Sequence, residues 1–179
     1  MLIRKEQTFA VAVDYQTKIL PAMANRESLI EKSVRLFNGL KVLEVPVFIT
    51  QQYTKGLGGT TPEITEAIGK EDWLEKMRYS GFEELKTVIP SPQERPNVLV
   101  TGIESHVCVL QTALELKDAG YRVYLVTDCV TSRSTEDRAT AIERMKQEGI
   151  LLTSYESILF ELQERAGNDT AKQIQKIVR

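Results

Sequence analysis

The chain holds two cysteines, Cys108 and Cys129, and one histidine, His106. Cys108 has the widest chemical scope of the three. It stands where an apolar, β-branched run, Val98 to Thr101, breaks at Gly102 and gives way to a helical pattern of Val109, Leu110, Ala113, Leu114 and Leu116. That spacing predicts a strand, a tight turn and a helix. The unpaired N–H groups and the positive dipole end of a starting helix favour an anion, and a thiolate is one. An equally open reading makes Cys108 a small buried hydrophobe, a common fate of free cysteine. A cysteine nucleophile needs a base for its proton. His106 lies two residues away, so the two side chains do not share a helical face; capping, packing or lining a pocket suits it better than the role of base. Asp14, directly after the run Phe9 to Val13, is placed to take the proton. Lys76 is the group that would hold the aspartate and stabilise the thiolate by charge. Each also has an ordinary reading, the aspartate as a turn residue and the lysine as solvated surface. The N–H groups of Cys108 and of the Ile103–Ser105 turn could both face a developing oxyanion.

Positioning these groups requires a sheet. Apolar runs at Phe9–Val13, Val47–Thr50, Val98–Thr101, Arg122–Thr127 (ending at Asp128) and Ile150–Thr153 read as strands. Helical patterns fall at 26–43, 135–148, 154–164 and 169–178, with Asn25 and Ser154 as N-caps. Residues 51–62 read as a polar, glycine-rich loop long enough to carry function. The weak segment around Lys76 supplies a short third strand or its loop. Strands alternating with helices predict a three-layer α/β/α, doubly wound, mostly parallel sheet of order 3-2-1-4-5, extended by a sixth strand. In that order Asp14 and Cys108 emerge side by side at the topological switch point.

Composition sets limits on partners. The 179 residues suit a single domain, 1–179, with a full core. A net charge of −2 gives no reason to expect nucleic acid or a membrane surface as partner. No apolar run reaches the ~18 residues of a bilayer span, and residues 1–8 have no signal-peptide core. Two cysteines make no disulfide framework, so a reducing cytoplasm is expected. One histidine and no C-x-x-C leave no structural zinc site to write.

With the motifs in place, the sequence resembles the isochorismatase-like cysteine hydrolases over nearly its whole length. V-A-V-D-Y-Q around Asp14, K-M-R-Y-S-G-F from Lys76, V-T-G-I-E-S-H-V-C-V-L-Q-T-A around Cys108 and V-T-D-C-V-T-S-R after it match that family's motifs in order. The stretch F-I-T-Q-Q-Y-T-K-G-L-G-G-T-T-P-E looks like the branch of isochorismatase domain-containing proteins. The resemblance implies Asp14 as base, Lys76 as its charge partner and Cys108 as nucleophile. It puts a non-proline cis peptide at Ile103–Glu104 and oxyanion donors at the Glu104 and Cys108 N–H groups. It also implies a homo-oligomer. Nicotinamidases of the family hold a metal through Asp-x-His after strand two; here those positions are Gln51-Gln52-Tyr53, which disfavours both metal and nicotinamide. Enzymes of the family that cleave the isochorismate vinyl ether tend to lack the cysteine. The expectation is therefore a hydrolase without metal or other cofactor, opening a small amide or related C–N bond through a thioester. Gln51, Tyr53, Leu57, Tyr79 and Phe82 are the candidate pocket walls, with ordinary packing as the competing role. The rival functions are a non-catalytic scaffold and a thiol redox protein pairing Cys108 with Cys129. The Cys108 thiol is expected to titrate below the ~8.5 of a free cysteine, and Cys129, following its strand with no cation beside it, above it.

Overall fold

The computed structural model describes residues 2–179. Six parallel strands form one sheet in the order β3-β2-β1-β4-β5-β6: β1 Thr8–Val13, β2 Val47–Gln52, β3 Leu74–Lys76, β4 Asn97–Ile103, β5 Arg122–Thr131 and β6 Leu151–Thr153. The expected doubly wound order holds, and the sheet is parallel throughout. Side chains of β1 and β4 alternate between two cores, as the two-residue period of a strand requires. Phe9, Val11, Val13, Val98 and Val100 join one core with Leu85, Val109, Ala113, Leu116, Ala141 and Met145. These come from helices α4 (Phe82–Leu85), α5 (Leu110–Asp118) and α6 (Thr135–Gln147) and the turn before α5. Ala10, Ala12 and Leu99 face the other core, which holds Leu36, Leu40, Ile64, Ile158 and Ile174. Those belong to α1 (Arg26–Val42), α3 (Pro62–Ile68), α7 (Tyr155–Gln163) and α8 (Asp169–Val178). With both faces covered, the central strands are buried and read as continuous apolar runs.

Several local expectations change. Gly102 does not end its strand; β4 continues to Ile103, with Gly102 at φ +117 in register with Val13. Strand β5 runs past Asp128 to Thr131, because a bulge takes up the extra chain: Val100 pairs with Leu125, then Gly102 with Val130. Cys129 is thus inside the strand, not after it. Asp128, at the bulge, accepts the Tyr155 N–H at 2.9 Å and so anchors the start of α7, where Ser154 accepts the Ser157 N–H at 3.3 Å as expected of a cap. Asn25 is left-handed at φ 52 and makes no side-chain cap to α1. The stretch 51–62 is structured: β2 runs through Gln52, a single helical turn α2 covers Thr54–Leu57, and α3 starts at Pro62.

Candidate active site

β1 and β4 are neighbours, and the chain leaves them in divergent directions at their C-terminal ends. Asp14 follows β1 directly and is left-handed, φ 52, a conformation that aspartate tolerates better than most residues. The turn turns its carboxylate into the sheet end, where the Thr50 hydroxyl donates to Oδ1 at 2.8 Å. The third strand, three residues long, ends on Lys76, whose Nζ lies 2.7 Å from Asp14 Oδ2. Both side chains are buried, Lys76 completely. The remaining ammonium protons go to Gln52 Oε1 at 2.6 Å and to the Tyr79 carbonyl at 2.8 Å, with the Arg78 carbonyl at 3.3 Å. Thr50 and Gln52 are two residues apart on β2, so both face this pair.

After β4 the chain passes a cis Ile103–Glu104 bond and a wide π-type turn over Ser105–Val109 before α5 begins. Cys108 sits in that turn, one stage earlier than a helix start. Glu104 O accepts both the Val107 N–H at 3.1 Å and the Val109 N–H at 3.2 Å. The Glu104 carboxylate, itself buried, accepts the Arg133 N–H at 3.0 Å and Nε–H at 3.1 Å. This ties the turn to the chain after β5. The Cys108 thiol is close enough to Asp14 and Lys76 for both charges to act on it. Asp14, Lys76 and Cys108 therefore form one cluster.

A cavity of about 100 Å³ opens on it, lined by Asp14, Gln16, Ile19, Gln52, Leu57, Tyr79, Ile103, Glu104, Val107 and Cys108. Of the candidate walls, Leu57 and Tyr79 are here. Gln51, Tyr53 and Phe82 are not. Gln51 points to the other side of β2 from Gln52 and is held by Thr60 Oγ1 at 2.9 Å and Thr54 Oγ1 at 3.0 Å. Tyr53 is exposed. Phe82 packs on the core around α5. Gln16 and Gln52 were missed, although strand alternation from Thr50 points to Gln52. Gln16 clamps the segment that carries Leu57: its Nε2 donates to the Gln52 and Gly58 carbonyls at 2.9 and 2.7 Å, and its Oε1 accepts the Gln52 N–H at 2.7 Å. His106 turns away from the cavity, with Nδ1 2.9 Å from Ser132 Oγ and Nε2 4.0 Å from Asp137. It neither lines the pocket nor meets the thiol.

The expected low thiol pKa does not hold. Burial pushes Cys108 up to about 12, the Asp14 carboxylate adds to the rise, and Lys76 only opposes it. Lys76 is close, but its charge is already matched by Asp14. Burial likewise raises Asp14 above the ordinary carboxylate range, against the pull of Lys76, Thr50 and Cys108. Cys129 is raised by burial and by Asp128. It packs in the core on the opposite side of the sheet from Cys108, which removes the redox pairing of the two. Alkylation of native Cys108 by iodoacetamide is expected to climb about tenfold per pH unit from about pH 7 to about pH 10, because the thiolate fraction does so below the pKa. Cys129 should stay unlabelled. A plateau near the ordinary cysteine value, read by peptide mass spectrometry, would contradict this environment.

A parallel doubly wound sheet with an acid, a buried lysine and a cysteine gathered at the switch point defines the α/β class of this protein. The isochorismatase domain family matches residues 8–157, and the chain belongs to that family. Membership supports a hydrolase role. The secreted isochorismatase effector Isc1 of Phytophthora sojae is 40% identical over 80% of this chain and 71% of its own. Isochorismatase domain-containing protein 2A of Mus musculus is 34% identical over 99% of this chain and 85% of its own. Among solved structures, one titled as the MAR1 ribonuclease of Caenorhabditis elegans superposes with a TM-score of 0.89 at 32% identity, covering 99% of this chain and 92% of that one. No helix among the described residues is long and apolar enough to cross a membrane.

Proposed function

We propose that this chain is a metal-independent cysteine hydrolase that opens a small amide or related C–N bond through a thioester on Cys108. The observation that carries this reading is the Lys76–Asp14 pair beside Cys108, with Asp14 and Cys108 both lining one small cavity. A thiol near 12 makes a standing thiolate scarce at neutral pH, at a cost on the order of 7 kcal/mol. Asp14 therefore takes the proton as sulfur attacks, in general-base fashion. The Sγ–C bond forms, the carbonyl electrons move to oxygen, and the Glu104 and Cys108 N–H groups receive that oxyanion. Protonated Asp14 then gives its proton to the leaving nitrogen as the C–N bond breaks. Water, deprotonated by Asp14, opens the thioester, and the thiol is restored with the returned proton. Lys76 keeps Asp14 in place and ionised between these transfers.

A scaffold protein has no use for a buried ion pair, whose desolvation commonly exceeds its attraction; the cluster favours the enzyme. The ribonuclease name of the C. elegans neighbour raises RNA as a substrate, but a net charge of −2 and a cavity wall with no basic side chain among the described residues support a small molecule without nucleic acid or membrane as partner. Two free thiols suit a reducing cytoplasm. We also propose a homo-oligomer, supported by the exposed Leu151 and Leu152 on edge strand β6; light scattering giving the 20.3 kDa monomer overturns that.

The test is a panel of small primary amides, read by ammonia release and by the intact mass of quenched enzyme. An acyl adduct on Cys108 is expected, absent from Cys108→Ala. Turnover that survives Cys108→Ala sinks the thioester. Dialysis against a chelator should leave turnover unchanged; activity lost and then restored by a divalent metal would show that the Gln51–Tyr53 stretch had been misread. Because Asp14 must be ionised to accept the proton and its pKa is raised, the acid limb of kcat/KM should lie above the usual carboxylate value of ~3.9. Activity falls as pH drops through that limb. An acid limb below it would remove Asp14 as the base.

A further inference from the structure

We infer that this site selects an uncharged acyl group and excludes anionic substrates; the inference rests on the hydrolase reading above. The argument is a census of polar capacity in the cavity wall. Its polar side chains are Asp14, Gln16, Gln52, Glu104, Tyr79 and Cys108, and among the described residues no Lys, Arg or His lines it. Gln16 spends its amide on three backbone groups. Gln52 spends Oε1 on Lys76 and Nε2 on the Met77 carbonyl at 2.9 Å. Glu104 is matched by Arg133, whose side chain is largely exposed. The nearest cation, Lys76, has three protons and directs them at Asp14, Gln52 and the Tyr79 carbonyl. Among the described residues the cavity wall itself thus offers no basic side chain to meet a carboxylate or phosphate.

The rest of the wall is apolar, with Ile19, Leu57, Ile103 and Val107. At about 100 Å³ the space is well below the ~300–1,000 Å³ of drug-sized sites. An anion entering it loses its water with no charge to replace it, a penalty that an apolar group of equal size does not meet. Two carboxyl groups already border the space, each paired with its own cation, and a third would have none. The substrate class this favours is a short, neutral, branched or linear aliphatic amide, with the acyl carbons against Ile19, Leu57 and Val107.

Two thiol reagents of similar size but different charge test this without any turnover. Iodoacetamide is neutral and iodoacetate is an anion; each alkylates sulfur by forming S–C and expelling iodide, while the thiol proton leaves for Asp14 or water. The ratio of their rates at Cys108 in the native chain is compared with the same ratio in the urea-unfolded chain, by peptide mass spectrometry. The native ratio should favour iodoacetamide at least about tenfold over the unfolded one, and Leu57→Arg should bring it back by at least about fivefold, since a cation then faces the cavity. If Leu57→Arg fails to fold, Tyr79→Arg at the exposed rim carries the same expectation. A native ratio within about twofold of the unfolded one overturns the inference. A second arm compares isovaleramide with malonamate, which place an isopropyl group and a carboxylate at the same position. Ammonia release from isovaleramide alone supports the inference, and equal release from both overturns it. Release from neither, with no acyl adduct on Cys108, overturns the hydrolase reading, while the alkylation ratio still decides charge selection.

Discussion

Lys76→Met is expected to destabilise the fold by about 3–5 kcal/mol and to abolish turnover, because the substitution strands a buried carboxylate. Methionine keeps most of the aliphatic stem, so the change is largely one of charge. Asp14 Oδ2 loses its partner at 2.7 Å, and Gln52 Oε1 and the Tyr79 carbonyl lose donors at 2.6 and 2.8 Å. The strongest influence holding the Asp14 pKa down is the lysine charge. Without it, the rise that desolvation already imposes loses its main opponent, so Asp14 keeps its proton to higher pH and becomes a poorer base for the thiol. The loss is a large share of the ~5–15 kcal/mol that holds a typical domain together. Urea unfolding followed by circular dichroism measures it. Asp14→Asn combined with Lys76→Met separates the two effects: the neutral pair should regain much of the stability, since no charge is left unpaired, yet stay inactive. A single Lys76→Met variant within about 1 kcal/mol of the parent and still active would show that the ion pair neither holds nor drives this site.

Much of this cluster was legible in the sequence, for a physical reason. Strands buried on both faces write themselves as apolar runs, so the ends of β1 and β4 could be located, and the residues just past them are where an open parallel sheet binds ligands. Asp14 and the Cys108 turn followed from that. Lys76 was harder, because a three-residue edge strand leaves too little pattern to recognise, and only its motif singled it out. The pocket wall was read less well. Tyr53 and Phe82 attracted attention as aromatics, but aromatic character does not say which way a side chain points; Phe82 packs inward and Tyr53 faces solvent. Gln16 and Gln52 look like polar loop residues until their partners, some 24 to 42 positions away, are known. The thiol was misjudged in the same way. Its lysine was foreseen, but the balance depended on burial and on the Asp14 charge acting on the thiol alongside Lys76, neither of which local sequence carries.

Gly102→Ala should be the most damaging single methyl group in the chain, costing roughly 3–5 kcal/mol and disordering the site at once. Gly102 sits at φ +117, which L side chains rarely adopt. A Cβ there would lie 2.0 Å from the Val13 carbonyl oxygen and 2.7 Å from its carbon. These are backbone atoms in a buried strand, so no rotamer relieves the contact. Relief requires β4 to move from β1 where Gly102 pairs with Val13, and Asp14 is the next residue. The same displacement that breaks the sheet therefore pulls Asp14 from Lys76 and from the thiol. Gly120→Ala is the control. It too has a positive φ, +96, but its nearest neighbour is Pro92 Cγ at 3.9 Å. It should show the conformational penalty alone, about 1–2 kcal/mol, with the acyl adduct on Cys108 still forming. Chemical unfolding of both variants, with Cys108 acylation as the second readout, isolates the contact from the strain. If Gly102→Ala loses no more stability than Gly120→Ala, the close approach of β4 to Val13 is not what holds Asp14 and Cys108 together.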